Sequence, residues 1–326
     1  MLKSKKDLRI IFLGNPEFAR FHLERILENG YNVVAVVSAP DRPGGRGMKL
    51  MATPVTQYAR KQNIPCLQPS NLKNEAFQEE LKTYNADLQV VIAFRMLPVV
   101  VWNMPPMGTY NLHASLLPQY RGAAPINWAI INGETETGVS TFKLKHEIDT
   151  GDLLVQKTCT ITNDDTAGTL HDKLMHVGAD AVIETLDQLV SGEVKQLPQL
   201  DNGELKAAPK LFTANTEIDW NTATTRVRNI IRGLSPYPAA HTTFDGKKLI
   251  VYEVETELIE HHLTSGTFIS DGKRYLKVAV VDGFISLKNI KAQGKRQMAI
   301  HDFLNGYDIS HLHLASENSP GTKDTE

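Results

Sequence analysis

The sequence predicts an α/β protein in which a Rossmann-like domain with a mostly parallel sheet is followed by a small OB-like β-barrel. Three observations predict it. Strand, helix and strand patterns follow one another within the first 37 residues, a βαβ unit that starts the sheet parallel. Strand and helix patterns then alternate up to a long amphipathic helix ending near residue 190. Beyond a Pro- and Gly-containing stretch, short alternating runs are separated by Asp-Gly pairs, the mark of hairpins in a small barrel.

Each element has its own signal. Residues 8–13 (LRIIFL) are an apolar run of buried-strand type, broken by Gly14-Asn15-Pro16. Residues 17–29 carry Phe18, Phe21, Leu23, Ile26 and Leu27 near helical spacing, with Gly30 as the stop. Residues 32–37 (NVVAVV) are a β-branched strand. Helices are expected over 53–63, with Pro54 in the first turn, and over 76–83. Residues 88–93 (LQVVIA) read as a buried strand, and 109–113 as a short strand ending in a polar loop. Residues 138–145 and 153–161 alternate as a hairpin would, and 169–189 form the long helix. Past the turn-rich stretch, 222–233 reads as a helix, and 247–256, 266–281 and 283–290 as strands. The expected organisation is therefore a first domain over 1–190, a linker over 191–210, a barrel over 211–316 and a disordered tail over 317–326.

Composition excludes several classes. The 326 residues are 41% hydrophobic and 22% charged, an ordinary globular mix for about two domains. Two cysteines, Cys66 and Cys159, are too few for a disulfide scaffold or a four-thiolate metal site, which suits a reducing compartment. The N-terminus has too short an apolar run for a signal peptide, and no run approaches a membrane span, so a soluble cytoplasmic protein is expected. The net charge of −2 argues against general nucleic-acid binding. Residues 206–316, with 14 Lys and Arg against 11 Asp and Glu, permit an anionic partner without demanding one. His171/His176, His261-His262 and His311/His313 have no Cys or carboxylate at ligand spacing, so no metal is expected. Trp102, Trp128 and Trp220 read as packing residues.

The first βα turn, Gly-Asn-Pro-Glu-Phe, lacks the G-x-G-x-x-G that lets a dinucleotide pyrophosphate approach the backbone. The informative segment lies further on. Asn111 and His113 are two apart on a strand and share one face at its carboxyl end, where open parallel sheets bind ligands. An amide and an imidazole there suit a reaction that builds negative charge on a carbonyl oxygen. Spacing alone fits better a polar strand end with a satisfied histidine. Asp149, in Ile-Asp-Thr-Gly-Asp, could bring a carboxylate to the same cleft, although most such sequences are merely turns.

Asn-x-His-x-Ser-Leu-Leu-Pro at 111–118, Arg-Gly-x-x-Pro at 121–125 and Asp-Thr-Gly-Asp at 149–152 together resemble the folate-dependent formyltransferases. The resemblance runs from about residue 8 to about residue 314. It implies 10-formyltetrahydrofolate as donor and places the family's catalytic trio on Asn111, His113 and Asp149. Asn111 would donate to the tetrahedral oxyanion. His113 would contact either that oxygen or the transferring proton, and Asp149 would orient His113 and accept a proton from the attacking amine. The resemblance also implies that Ser115, Leu116, Leu117 and Pro118 line the tetrahydrofolate pocket. Phe94, Met96 and Leu97, just beyond strand 88–93, lie at the level where irregular backbone could meet the pterin edge; plain core packing is as good a reading of Met96 and Leu97. Glu147 stands where relatives usually have Gly, which puts the local backbone shape in question.

The stretch from Ala39 to Leu50 looks like the inserted loop of the family's tRNA-acting branch. Lys210, Ile218-Asp219-Trp220, Arg232 with Ser235-Pro236-Tyr237-Pro238, and Gln293–Met298 resemble that branch's C-terminal domain. The acceptor implied is the α-amine of initiator methionyl-tRNA, in translation initiation, with contacts from Arg42, Arg46, Lys49, Lys210, Lys295 and Arg296 and the chain acting as a monomer. An amino-sugar or ribonucleotide acceptor would need neither the basic insertion nor the barrel. A catalytically dead RNA binder would have no use for the trio.

Overall fold

The structure, a computed structural model, describes residues 3–44, 49–201, 203–309 and 312. Arg46 and the expected tail 317–326 lie outside the described residues. The chain divides into two compact units. The first runs to Gly122 and takes up Glu136–Thr160 and Asp172–Ala207; the second takes Ala123–Thr135, Ile161–His171 and what is described from Ala208 onward.

The first unit is built on a seven-stranded sheet. In spatial order its strands are Leu153–Thr160, Glu136–Lys143, Thr109–His113, Leu88–Ile92, Arg9–Gly14, Asn32–Val37 and Cys66–Leu67. The last five are parallel, and the first two are an antiparallel hairpin paired antiparallel to Thr109–His113. Helices cover such a sheet, so its central strands read as unbroken apolar runs; Ile10, Ile11, Phe12 and Leu13 are all buried. Ile11, Leu13, Ala35, Val37 and Val91 share one core cluster with Phe77 and Leu81 of helix Glu75–Thr83. Local chemistry sets the boundaries. Asn74 caps helix Glu75–Thr83 by accepting from the Phe77 amide (3.0 Å), and Thr53 does the same for Pro54–Lys61 through Thr56 (3.1 Å). The strand expected over 88–93 ends at Ile92 because Ala93 turns to φ 47°. Two features had no periodicity to reveal them: the single-turn helix Val99–Trp102, and the pairing of Arg42–Gly44 with Lys49–Met51.

Part of the stretch expected to link domains is tied down in the first unit. Leu197 exchanges backbone hydrogen bonds with Leu153 (2.8 and 2.9 Å), and Lys206 accepts from the Tyr120 amide (2.6 Å).

The second unit is a curled, antiparallel half-barrel. Its strands run in the order Ala240–Phe244, Lys247–Leu258, Gly283–Ala292, Leu276–Val280 and Phe268–Ser270, with Met298–Ala299 paired to Gly283–Ala292. Asp245 and Gly246 both have positive φ (50° and 65°), the geometry of a two-residue hairpin turn. Register shifts around Glu253 bend the long strand and help the sheet to curl. The Asp271-Gly272 pair within 266–281 separates Phe268–Ser270 from Leu276–Val280, as an Asp-Gly hairpin would, and the Asp271 carboxylate gathers the amides of Lys273, Arg274 and Tyr275 into the turn. Val227, Ile231 and Leu234 of helix Thr224–Leu234, with Ile300, Phe303 and Leu304 of helix Ile300–Gly306, complete the core, which also holds Trp220. No helix among the described residues is long and apolar enough to cross a membrane.

Candidate active site

The site grows from the carboxyl end of strand Thr109–His113. Leu112 faces helix Ala167–Ser191, where a Cβ on Gly178 would come within 2.8 Å of Leu112 Cδ2. Alternation therefore turns Asn111 and His113 to the other face together. Asn111 is half-buried, and its side-chain amide has no hydrogen-bond partner among the described residues. His113 is only 8% exposed, and its Nε2 lies 2.8 Å from the Tyr120 carbonyl. A carbonyl can only accept, so Nε2 carries the hydrogen and Nδ1 is the nitrogen left for chemistry. Nδ1 looks toward Asp149 Oδ2 at 3.9 Å, too far for a direct hydrogen bond but within ion-pair reach. The ring is thus oriented by Tyr120, a role the sequence had suggested for Asp149.

Asp149 itself is tightly placed. Its φ of 56° is left-handed, a conformation Asp tolerates better than most side chains and that local hydrogen bonds fix here. Oδ2 accepts from the Gly122 amide (3.1 Å). Gln199 Nε2 donates to the carbonyls of both Asp149 and Gly151 (2.8 Å each). Gln199 Oε1 in turn accepts from Arg121 Nη2 (2.7 Å) and Nε (3.1 Å), and Arg121 Nη2 also meets Asp201 (3.3 Å). Gly151 is required by close approach, since a Cβ there would lie 1.7 Å from the Lys143 carbonyl. Glu147 resolves the question raised by its position. It is exposed, it is not among the positive-φ residues, and its carbonyl accepts from Thr150 Oγ1 (3.1 Å).

The loop after the strand is braced from the neighbouring strand. Ser140 Oγ donates to the Ser115 carbonyl (2.6 Å) and accepts from the Leu117 amide (3.0 Å) and from Gln156 Nε2 (2.9 Å). Gln156 Nε2 also reaches the Leu117 carbonyl (2.9 Å). Ser115 is fully buried, and its hydroxyl donates to the Gln119 carbonyl (2.6 Å), so it is a strut of this loop. Leu117 is buried, Leu116 and Pro118 are half-buried, and the Leu117–Pro118 peptide is cis. Phe94 and Leu97 pack on the edge of the first unit's core, whereas Met96 is 75% exposed.

Of the residues expected to meet RNA, Arg42, Lys210, Lys295 and Arg296 are exposed, and none makes an ion pair among the described residues. Arg46 is not described, and of Lys49 only the backbone is, paired with Gly44. Three other cations of the second unit are committed internally. Arg226 donates to the Ile131 carbonyl (2.5 Å), Arg228 to that of Asn163 (2.7 Å), and Arg232 to those of Thr162 (3.1 Å) and Asp165 (3.0 Å). Gln199, Ser140 and the Tyr120 carbonyl had no sequence signal: two lie outside the recognisable motifs, and the third acts through its backbone.

Residues 8–186 match the family described as Formyl transferase, and residues 210–308 match Formyl transferase, C-terminal domain. The two-domain fold is that of a formyl transferase, a formyl-transferring enzyme. Over nearly its whole length the chain belongs to the methionyl-tRNA formyltransferase family. It is 51% identical to the methionyl-tRNA formyltransferase of Bacteroides thetaiotaomicron over 94% of this chain and 98% of that one, and 52% identical to that of Parabacteroides distasonis over 93% and 97%. More distant solved structures share the fold. HypX from Aquifex aeolicus, in complex with tetrahydrofolic acid, gives a TM-score of 0.63 at 19% identity, covering 92% of this chain and 47% of that one. The N-formyltransferase from Helicobacter canadensis, in complex with folinic acid and dTDP-3-aminofucose, gives 0.63 at 19% identity over 85% and 98%.

Proposed function

We propose that the chain transfers the formyl group of 10-formyltetrahydrofolate to the α-amino group of methionine on initiator tRNA, in translation initiation. The observation that carries the chemistry is the His113–Asp149 pair: one imidazole nitrogen is spent on Tyr120, and the other faces a fixed carboxylate at 3.9 Å. The neutral amine attacks the formyl carbon, and the new C–N bond makes a tetrahedral carbon with a negative oxygen. Asn111, whose amide no group among the described residues claims, donates to that oxygen. A proton leaves the attacking nitrogen for Asp149, with His113 Nδ1 able to relay it. The bond from carbon to N10 then breaks, N10 takes up a proton, and tetrahydrofolate leaves. The amine is itself the nucleophile, so no covalent enzyme intermediate forms.

For the donor, the backbone leaves the regular ladder at Ala93, and the peptide groups beyond it can meet the edge of a planar pterin. Phe94, Leu97 and the braced Ser115–Pro118 loop supply apolar walls, with Met96 at the rim. The family relatives and the tetrahydrofolate bound to HypX support this reading. For the acceptor, the unpaired cations Arg42, Lys210, Lys295 and Arg296, with Arg46 and Lys49 of the inserted loop, are the groups to meet tRNA phosphates.

The test offers purified enzyme and 10-formyltetrahydrofolate with charged initiator tRNA, free methionine or a dTDP-amino sugar. Formyl transfer to the tRNA alone is expected. Transfer to the sugar, with none to the tRNA, would overturn the reading.

A further inference from the structure

We propose that Phe212 and Lys210 form a stacking step on the second unit that takes an unpaired base of the tRNA and its adjoining phosphate. The proposal rests on the RNA reading above. Its observation is an aromatic ring left in the open on a backbone that cannot move away. Of the phenylalanines in the second unit, Phe244, Phe284 and Phe303 are buried and Phe268 packs against the core, but Phe212 is 59% exposed.

The backbone on both sides is pinned. The Ala208 carbonyl accepts the amides of Ala123 (2.8 Å) and Ala124 (3.2 Å), and the Pro209 carbonyl accepts Trp128 Nε1 (2.8 Å). Asn215 brackets Phe212, its Oδ1 accepting from the Phe212 amide and its own amide donating to the Phe212 carbonyl, both at 2.9 Å. Between these anchors the chain is extended, with Phe212 at φ −121° and ψ 166°. Leu211 turns inward and packs against the core. Lys210 and Phe212, on either side of it, therefore share the outward face. Lys210 Nζ stands 5.3 Å from the centre of the Phe212 ring and has no ion-pair partner among the described residues.

A free cation beside a rigidly presented, exposed π face is what single-stranded nucleic acid uses: the ring stacks on a base whatever its identity, and the ammonium meets the phosphate. A lysine stem that merely shields a stray ring from water is the competing account, and the two differ in what the ring must be. Stacking needs an aromatic; shielding is served by any apolar side chain.

The experiment measures binding of uncharged initiator tRNA by fluorescence anisotropy across a salt series, and formyl-transfer kinetics with charged tRNA. It uses the full chain with Phe212→Ala, Phe212→Leu, Phe212→Trp and Lys210→Ala, each checked by thermal melting. Phe212→Ala and Phe212→Leu should both weaken tRNA binding about five- to a hundredfold and raise KM for tRNA in step, with kcat and the donor KM unchanged. Phe212→Trp should bind like the parent. Lys210→Ala should weaken binding and flatten the salt slope by about one. Unchanged binding by folded Phe212→Ala, or full binding by Phe212→Leu, would overturn the proposal while leaving the tRNA reading intact. Failure of the parent protein to bind tRNA would overturn both.

Discussion

Gln199 holds the backbone of the Asp149 turn from a position no motif marks, and on the proposed mechanism replacing it with leucine should slow formyl transfer without loosening either substrate. The side chain is fully used inside the protein. Its amide hydrogens go to the Asp149 and Gly151 carbonyls at 2.8 Å, and its oxygen takes two donors from Arg121. Nothing remains for it to offer a substrate. Each neutral bond is worth about 1 kcal/mol net and each bond to the guanidinium about 1.5–3 kcal/mol, so the four bonds of the clamp contribute roughly 5–8 kcal/mol of local anchoring. Against it stands the left-handed backbone of Asp149, which costs about 1–2 kcal/mol. With the clamp the turn stays; without it the Gly122 amide is the one hydrogen-bond donor left to the carboxylate among the described residues, and the turn is free to relax. A misplacement of about 1 Å costs up to a hundredfold, so single-turnover formylation by Gln199→Leu should fall about ten- to a hundredfold at saturating donor and tRNA. Both KM values should hold, and melting should confirm a folded protein. Gln199→Glu, which keeps the acceptor for Arg121 but loses both donors, should fall in between. A folded Gln199→Leu variant with the parent's single-turnover rate would refute the clamp.

Other consequences can be checked separately. Ser140→Ala removes three hydrogen bonds that brace the Ser115–Leu117 backbone, so KM for 10-formyltetrahydrofolate should rise about tenfold at unchanged tRNA KM, measured by initial rates. Arg232→Ala removes the guanidinium's hydrogen bonds to the Thr162 and Asp165 carbonyls and should cost about 2–3 kcal/mol in urea unfolding without altering tRNA affinity in a binding titration. Burial pushes the Tyr110 phenol up to about 12 from its usual 10.0, with its hydroxyl donating to the Met107 carbonyl (3.0 Å). Because the folded value lies above the unfolded one, the stability this residue contributes is complete below pH 10 and is lost as pH climbs toward 12. A phenolate absorbance titration should show a component near pH 12 that disappears in Tyr110→Phe.

Much of this was legible in the sequence because it depends on pattern. The apolar run 8–13, the β-branched run 32–37 and the buried run 88–93 are what a covered parallel sheet requires, and the structure differs only at their ends. The Asp245-Gly246 turn carries its φ signature in its composition. Asn111 and His113 share a face because a strand alternates. What stayed hidden depends on geometry between distant segments. No periodicity says that the Tyr120 carbonyl fixes the His113 ring, or that Gln199, in a stretch that reads as linker, reaches back to Asp149. Nor does anything in the sequence show where Arg226, Arg228 and Arg232 are spent: their acceptors are backbone carbonyls, which have no residue-type signal.

On the proposed mechanism the oxyanion depends most directly on the side-chain amide of Asn111, half-buried on the His113 face and unclaimed by any described protein group. Single-turnover formylation of charged initiator tRNA by Asn111→Ala, at saturating 10-formyltetrahydrofolate, tests it. Loss of one oxyanion donor should lower the rate about a hundred- to a thousandfold, a barrier increase of about 2.7–4 kcal/mol, with tRNA binding and melting temperature unchanged. A folded Asn111→Ala enzyme that formylates at the parent's rate would contradict it.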